Sequence, residues 1–159
     1  GLESDTIANM SGNGYQLHWC KGDYCSVTGV KSGMVQRLIY PVPVKKQAGV
    51  GVHLTMDLNG RYRLGPDATY IRRVEDYQVH PEKAGLFFEL AGKFLPFLKK
   101  ENIHPDMAGI RPKLQGPGDD FCDFVIRQDA PGFINLVGIE SPGMTASPAI
   151  ARYVQKLIE

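Results

Sequence analysis

An arginine stands within an apolar run in AGIRPKL (residues 108–114), a pattern that favours a buried strand. Because an unpaired buried charge is costly, the guanidinium of Arg111 needs an anionic partner. A planar guanidinium can hold a carboxylate through two parallel hydrogen bonds. Arg111 is therefore a candidate carboxylate ligand, and the alternative is an internal ion pair with Asp119, Asp120 or Asp123.

A second candidate is His53, which stands between two apolar residues in GVHLTMD (residues 51–57) on a predicted strand. Neutral imidazole near pH 7 can accept a proton from a substrate hydroxyl. A histidine within a strand is more often a hydrogen-bonded structural residue. The residue type alone therefore favours the structural role and leaves the general base as the alternative.

The stretch VGIESPGMTAS (residues 137–147) is unusually poor in large side chains where a predicted strand leads into a predicted helix. Gly138 and Gly143 allow a close approach to the backbone, and Thr145 or Ser141 could cap the helix. Free N–H groups and the positive end of the helix dipole favour an anion or an electron-rich ring edge. A tight turn packed against a neighbouring strand is the alternative.

The cysteines do not form a metal-binding pattern. Cys20 and Cys25 have the spacing C-x4-C without a second pair, which indicates two strand cysteines near a turn and predicts no metal site. Together with Cys122 they make an odd number, which favours the reducing cytoplasm.

Two glycine runs fall short of a dinucleotide-binding fingerprint. GNG (12–14) and GVG (49–51) each begin a G-x-G-x-x-G pattern, but Leu17 and Leu54 occupy the third glycine position. Neither run therefore predicts a nucleotide site.

The composition is that of a globular protein of 159 residues, with 43% hydrophobic and 22% charged residues. A net charge of +1 gives no electrostatic reason for binding nucleic acid, and no apolar run is long enough to span a bilayer. The chain begins GLESDTIANM without Met, so we expect it to be a segment of a longer protein.

Short strands separated by turns dominate the pattern and predict an α+β fold with a mostly antiparallel sheet. The predicted strands cover 14–20, 34–43, 50–56, 61–65, 107–114, 123–128 and 133–140. Asn59-Gly60 predicts a hairpin between the third and fourth of them.

Helical spacing predicts a helix over residues 81–101, which Pro96 should break or kink into two pieces. Its expected apolar stripe is Leu86, Phe87, Leu90, Phe94 and Phe97. A second helix should bury one face through its apolar residues. These are Ala146, Ala149, Ile150, Tyr153, Val154, Leu157 and Ile158.

Several of these stretches, taken in order, resemble the carboxyl-terminal half of an FAD-dependent oxidoreductase of the D-amino-acid-oxidase-like (DAO) superfamily. The nearest branch is that of the L-2-hydroxyglutarate dehydrogenases and oxidases. The stretches are LIYPVP (38–43), GVGVHLTMDLNGRYRLGPDA (49–68), AGIRPKL (108–114), DFVIR (123–127) and NLVGIESPGMTASPAIA (135–151). GIESPGMTAS is the most specific of them.

The resemblance implies three parts of the chain: a remnant of the FAD domain (1–14), a substrate domain with helices on one side of a mixed sheet (15–110), and a return to the FAD domain (111–159). It implies oxidation of a small 2-hydroxy acid, such as L-2-hydroxyglutarate, by hydride transfer to the flavin N5. Glycerol-3-phosphate dehydrogenase and amino-acid oxidase activities of the same superfamily, and a non-catalytic binding module, remain alternatives.

The resemblance also implies roles for single residues. Arg111 would hold the substrate carboxylate, His53 would act as the base, and Tyr40 would be a hydrogen-bonding partner. The flavin would lie against the turn made by Gly138, Ile139, Ser141, Pro142, Gly143, Met144 and Thr145.

The family's amino-terminal FAD-binding unit has no counterpart in this sequence. We therefore expect the isolated chain neither to retain FAD nor to catalyse. Exposed strand edges should favour self-association into a homo-oligomer.

Overall fold

The computed structural model describes residues 1–42 and 51–159. The chain forms two compact units. The terminal unit comprises Gly1–Cys20, Tyr70–Arg73 and Ile110–Glu159, and the central unit comprises Lys21–Thr69 and Val74–Gly109. The predicted division into an FAD-domain remnant, a substrate domain and a return segment stays a prediction, because a contact pattern assigns no cofactor or substrate to either unit.

The fold is α+β, as predicted. The elements in chain order are α1 (Ser4–Ala8), β1 (His18–Val27), β2 (His53–Met56), β3 (Tyr62–Gly65), β4 (Thr69–Tyr70), α2 (Lys83–Ala91), β5 (Ile103–Lys113), β6 (Val125–Ala130), β7 (Phe133–Val137) and α3 (Gly143–Ile158). One sheet has the order β2-β3-β1-β4, with β5 also paired to β1, and β6 pairs with β7 in a second sheet. The pairings β1–β3, β2–β3 and β6–β7 are antiparallel.

The predicted hairpin is confirmed in the central unit, where β2 and β3 pair along their whole length. Gly60 has a φ of +76°, a conformation that glycine adopts without the strain of a side chain. The Asp57 carboxylate accepts the backbone N–H groups of Asn59 and Arg61 at 2.9 and 3.0 Å. Local turn chemistry therefore determines the register of this hairpin. Residues 49 and 50 of the predicted pattern lie outside the described part of the chain.

The helix predicted over 81–101 is shorter in the structure, because α2 ends at Ala91. Gly92 follows and is a poor helix former, and Pro96 disfavours helical backbone at the residue before it. The prediction of a break at Pro96 was therefore wrong by one helical turn. Separate turns and a 3-10 turn at Lys100–Asn102 replace the rest of the helix.

The buried face of α2 also differs from the predicted stripe. Phe87 is fully buried, but Leu86 and Leu90 are 41% and 38% exposed. The core of the central unit consists of Cys25, Val27, Val52, Leu54, Tyr62, Leu64, Phe87, Ala91, Leu95, Leu98 and Ile103. The helix thus meets the sheet through Phe87 and Ala91, four residues apart.

The strand predicted over 34–43 is wrong for the described residues of that segment. A single bridge joins Ile39 to Leu54, with reciprocal backbone hydrogen bonds of 3.1 and 2.9 Å. Pro41 has no N–H to extend this bridge into a ladder. Tyr40 therefore lies beside a bridge rather than within a strand.

The terminal unit has its own core. Ala8, Leu17, Trp19 and Val137 are buried, and Leu2, Tyr15, Ile71, Ile110, Leu114 and Val125 pack against them. The strands predicted at 107–114, 123–128 and 133–140 are confirmed as β5, β6 and β7.

The strand predicted over residues 14–20 begins later, at His18, and continues to Val27 as β1. Leu17 does not join the hydrogen-bond ladder of β1, because its N–H donates to the Asp5 carboxylate at 3.0 Å. Both Cys20 and Cys25 lie on β1, so the prediction of two strand cysteines is confirmed.

Asp5 is a buried carboxylate that organises the start of the terminal unit. Arg73 donates to both of its oxygens at 2.8 and 2.9 Å, and Thr6 N–H adds a third bond at 2.8 Å. Burial alone would raise the pKa of Asp5, but the hydrogen bonds from Arg73, Leu17 and Thr6 hold it below its usual value.

The final helix is confirmed as α3, but its apolar face is only partly covered. Ala146, Ile150, Val154 and Leu157 are half-buried. Tyr153 and Ile158 are 50% and 73% exposed, and Ala149 is also exposed, which corrects the expectation that they are buried.

Candidate functional site

The turn between β7 and α3 is built closely around its glycines. Gly138 has a φ of +73°, and a Cβ there would lie 2.6 Å from both Cγ and Cδ1 of Leu114. Gly143 is buried, and a Cβ there would overlap Cγ2 of Ile139. Packing within the terminal unit therefore accounts for these two glycines without an outside partner.

The outer residues of the same turn are open. Ser141, Pro142, Met144 and Thr145 are exposed, and Met144 is 92% exposed. The expected cap from Thr145 or Ser141 is wrong, because Pro142 occupies the N-cap position and no side chain of the described residues caps α3. The helix thus presents its positive end beside open backbone, an arrangement suited to an anion or an electron-rich ring edge.

Three charged side chains meet where β5 lies against this turn. Lys113 Nζ donates to Glu140 Oε1 at 2.5 Å, and Arg111 Nη1 donates to Glu140 Oε2 at 3.3 Å. Arg111 and Lys113 are two residues apart on β5 and therefore share one face of the strand. We call Arg111, Lys113 and Glu140 the β5 ion group. Two cations and one carboxylate give it a formal charge of +1.

The three side chains of the β5 ion group differ in their exposure to solvent. The side chains of Lys113, Glu140 and Arg111 are 8%, 13% and 27% exposed. Arg111 contributes a single Nη1–H to its ion pair, whereas a guanidinium carries five N–H donors. Arg111 is therefore the member of the group that can bind a further acceptor.

The partner of Arg111 differs from the residues that the sequence suggested. An ion pair is present, but the carboxylate belongs to Glu140 rather than to Asp119, Asp120 or Asp123. Glu140 lies 29 residues from Arg111 along the chain. In the sequence, Glu140 is marked only as the single acidic residue among the small residues that follow β7.

Tyr70 is a further polar residue of the terminal unit that the sequence analysis missed. Its hydroxyl donates to the backbone oxygen of Gln115 at 2.9 Å. Burial raises the pKa of Tyr70, and the neighbouring Cys20, Glu140 and Asp119 raise it further. Tyr70 is therefore a neutral hydrogen-bond donor at physiological pH.

In the central unit, the rings of Tyr40 and His53 are stacked, with centroids 4.0 Å apart and planes inclined by 15°. His53 is buried and Tyr40 is 49% exposed. His53 Nδ1 lies 3.0 Å from Gly51 O. Because a carbonyl oxygen can only accept, Nδ1 is the donor in this contact.

The structure brings the predicted residues together in two groups. Tyr40 and His53 meet in the central unit, and Arg111 lies with Glu140 of the turn before α3 in the terminal unit. The contact of Tyr40 with His53 is ring stacking.

The described residues contain no group of three or more His, Cys, Asp or Glu side chains arranged to hold a metal ion. None of the described helices is long and apolar enough to cross a membrane. A location in the cytoplasm stays a prediction.

The chain is similar to a group of flavin-dependent proteins. A family model described as FAD dependent oxidoreductase (DAO) matches residues 1–157. The mitochondrial L-2-hydroxyglutarate dehydrogenase of Arabidopsis thaliana is 39% identical over 150 residues, which cover 86% of this chain and 31% of the relative. A glycerol 3-phosphate dehydrogenase of Caloramator mitchellensis is 32% identical over 164 residues, which cover 100% of this chain and 32% of the relative. The chain thus spans about a third of the length of these two relatives.

A solved structure shares the fold. The dithionite-reduced L-alpha-glycerophosphate oxidase from Mycoplasma pneumoniae with FAD bound superposes with a TM-score of 0.79 at 26% identity. The superposition covers 99% of this chain and 40% of that chain. The predicted fold class and the family resemblance are both confirmed.

Proposed function

We propose that this chain, which belongs to the FAD dependent oxidoreductase family, is part of a longer enzyme. That enzyme would oxidise a small 2-hydroxy acid to the 2-oxo acid. The substrate that we propose is L-2-hydroxyglutarate. The observation that carries the proposal is the β5 ion group, which offers one accessible guanidinium and a formal charge of +1. The name of the Arabidopsis relative supports this substrate.

The turn before α3 fits contact with the flavin of FAD. Reduced flavin carries negative charge on its pyrimidine side, and the uncapped positive end of a helix stabilises such charge. The backbone of residues 139–145 would face this edge, with Gly138 holding the turn in shape. When bound, FAD accepts the hydride that leaves the substrate carbon. The chain alone should not retain FAD, and a stoichiometric yellow complex that survives desalting would contradict this expectation.

Arg111 would hold and orient the substrate carboxylate. Its remaining N–H donors suit the two parallel bonds of a carboxylate, and its partial burial strengthens them relative to bonds in water. Correct orientation of the reacting carbon is the main contribution that a protein can make to a cofactor-dependent transfer.

His53 would accept the proton of the substrate hydroxyl at Nε2. The contact of Nδ1 with Gly51 O holds the tautomer in which Nε2 is basic, and the stacked Tyr40 ring restricts rotation of the imidazole. In this role Tyr40 supports the base, and its hydroxyl remains a candidate hydrogen-bonding partner for the substrate.

Oxidation of glycerol 3-phosphate is the second candidate. A relative from Caloramator mitchellensis is named glycerol 3-phosphate dehydrogenase, and one from Mycoplasma genitalium is named glycerol 3-phosphate oxidase. A phosphate dianion would need a second available cation beside Arg111. Lys113 is the neighbouring cation, but it is buried and bonded to Glu140. The geometry therefore favours a carboxylate over a phosphate.

The test is the substitution Arg111→Ala in the whole protein loaded with FAD. Loss of a charged hydrogen-bonded contact of about 1.5–3 kcal/mol should raise KM for L-2-hydroxyglutarate by about 10- to 150-fold. Arg61→Ala is the matched control, because Arg61 is a 72% exposed arginine that pairs with Asp57 in the hairpin turn.

Equal KM values for wild type and Arg111→Ala would contradict the proposed role of Arg111. Faster turnover of glycerol 3-phosphate or of an amino acid than of any 2-hydroxy acid would favour those activities. Absence of turnover with all three substrate classes, in a protein that binds FAD, would favour a non-catalytic binding module.

A further inference from the structure

We propose that Glu140 determines which anions the β5 ion group accepts, because it limits the charge of the group and so favours a carboxylate over a phosphate dianion. This inference deepens the proposed function and rests on it for the identity of the substrate. Glu140 is thus a specificity-determining residue that acts through Lys113 and Arg111.

Lys113 is buried and paired with Glu140. Its side chain is 8% exposed, and its ammonium lies 2.5 Å from the carboxylate. A buried ammonium requires its counter-ion, since removal of one partner leaves an uncompensated charge. The charge of Lys113 is therefore matched inside the group, and an incoming anion meets the charge of Arg111.

A single positive charge suits one class of anion better than the other. A carboxylate of charge −1 neutralises the group completely. A phosphate monoester carries a charge of about −1.5 to −2 at pH 7 and would leave an excess negative charge in a partly buried place.

Replacement of Glu140 by its neutral isostere reverses this preference. Glu140→Gln raises the formal charge of the group from +1 to +2 and keeps the shape of the side chain. The electrostatic free energy of binding gained from the added positive charge is proportional to the charge of the ligand. A dianion therefore gains twice the free energy of a monoanion, and its binding constant rises by the square of the factor by which the binding constant of a monoanion rises. We expect acetate to bind about threefold more tightly and inorganic phosphate about tenfold more tightly.

The experiment titrates the chain with acetate and, separately, with inorganic phosphate at about pH 8 and constant ionic strength. The Nε–H resonance of Arg111, assigned by Arg111→Ala, reports binding at the group by NMR. Circular dichroism verifies that each variant is folded.

Two further variants separate charge from shape. Lys113→Met lowers the formal charge to zero, so it should weaken phosphate binding more than acetate binding. The double variant Lys113→Met/Glu140→Gln returns the charge to +1 and should restore the wild-type ratio of phosphate to acetate affinity. If Glu140→Gln does not fold, comparison of Lys113→Met with the double variant still tests Glu140, because the two differ only at residue 140 and the double variant should have the higher ratio of phosphate to acetate affinity.

An unchanged phosphate-to-acetate ratio in Glu140→Gln, or a double variant that keeps the raised ratio of Glu140→Gln, would overturn the role of Glu140. In the whole enzyme, where one carboxylate of L-2-hydroxyglutarate would lie against Arg111, Glu140→Gln should raise kcat/KM for glycerol 3-phosphate relative to L-2-hydroxyglutarate by about threefold. A wild-type enzyme that oxidises neither substrate would refute the proposed function, while the anion titrations would still decide the role of Glu140.

Discussion

The substitution Gly138→Ala tests whether internal packing determines the shape of the turn before α3. An L-residue at φ +73° costs about 1–2 kcal/mol of backbone strain. The added Cβ would also lie 2.6 Å from two carbons of Leu114, and such overpacking costs about 1–3 kcal/mol more. We expect Gly138→Ala to lower the free energy of unfolding by about 2–5 kcal/mol in total.

Gly132→Ala is the matched control, because Gly132 has nearly the same φ, +71°, and open space where the Cβ would be. It should cost about 1–2 kcal/mol, the strain alone. Urea unfolding followed by fluorescence of Trp19, the single tryptophan and a core residue of the same unit, measures both changes. In the double variant Gly138→Ala/Leu114→Ala, relief of the overlap should make the combined loss smaller than the sum of the single losses. Equal losses for Gly138→Ala and Gly132→Ala would refute the packing explanation.

Other predictions follow from single side chains. Burial and the nearby carboxylates raise the pKa of the Cys25 thiol to about 11, so a thiol reagent at about pH 8 should modify exposed Cys122 quickly and Cys25 only after unfolding. Because the pKa of Asp5 is lowered in the folded state, its stabilisation is complete above the unfolded pKa of about 3.9 and is lost as pH falls through the folded value. The stability difference between wild type and Asp5→Asn should therefore shrink below about pH 4, and a constant difference would contradict the assignment. Phe87→Ala should cost about 3–5 kcal/mol and Leu86→Ala less than about 1.5 kcal/mol, and a larger loss for Leu86→Ala would show that α2 packs through its other face.

Elements with local causes could be predicted from the sequence. The β2–β3 hairpin follows from the Asn59-Gly60 turn, and β6 and β7 follow from their own apolar patterns. Each of these signals acts over a few residues, so no knowledge of distant contacts is needed.

Features that depend on distant contacts could not be predicted in the same way. Residues 34–42 have a strand-like composition, but within the described part of the chain they form a single β-bridge, Ile39–Leu54. The apolar residues of α2 suit either of two faces, and packing against the central core selects the face that contains Phe87. In the same way, Arg111 required an anion, but nothing local identified Glu140 as its partner.

Glu140 connects the charge of β5 to the start of α3. Its carboxylate contacts Arg111 and Lys113, and its backbone oxygen accepts the N–H of Gly143 at 2.5 Å. Gly138 affects the same turn through packing alone, since it carries no charge and its neighbour Leu114 is apolar. A comparison of Glu140→Gln with Gly138→Ala therefore separates two causes of anion preference. If charge determines the preference, Glu140→Gln alters the ratio of phosphate to acetate affinity and Gly138→Ala does not. If the shape of the turn determines it, Gly138→Ala alters the ratio as well, and the electrostatic account of the β5 ion group fails.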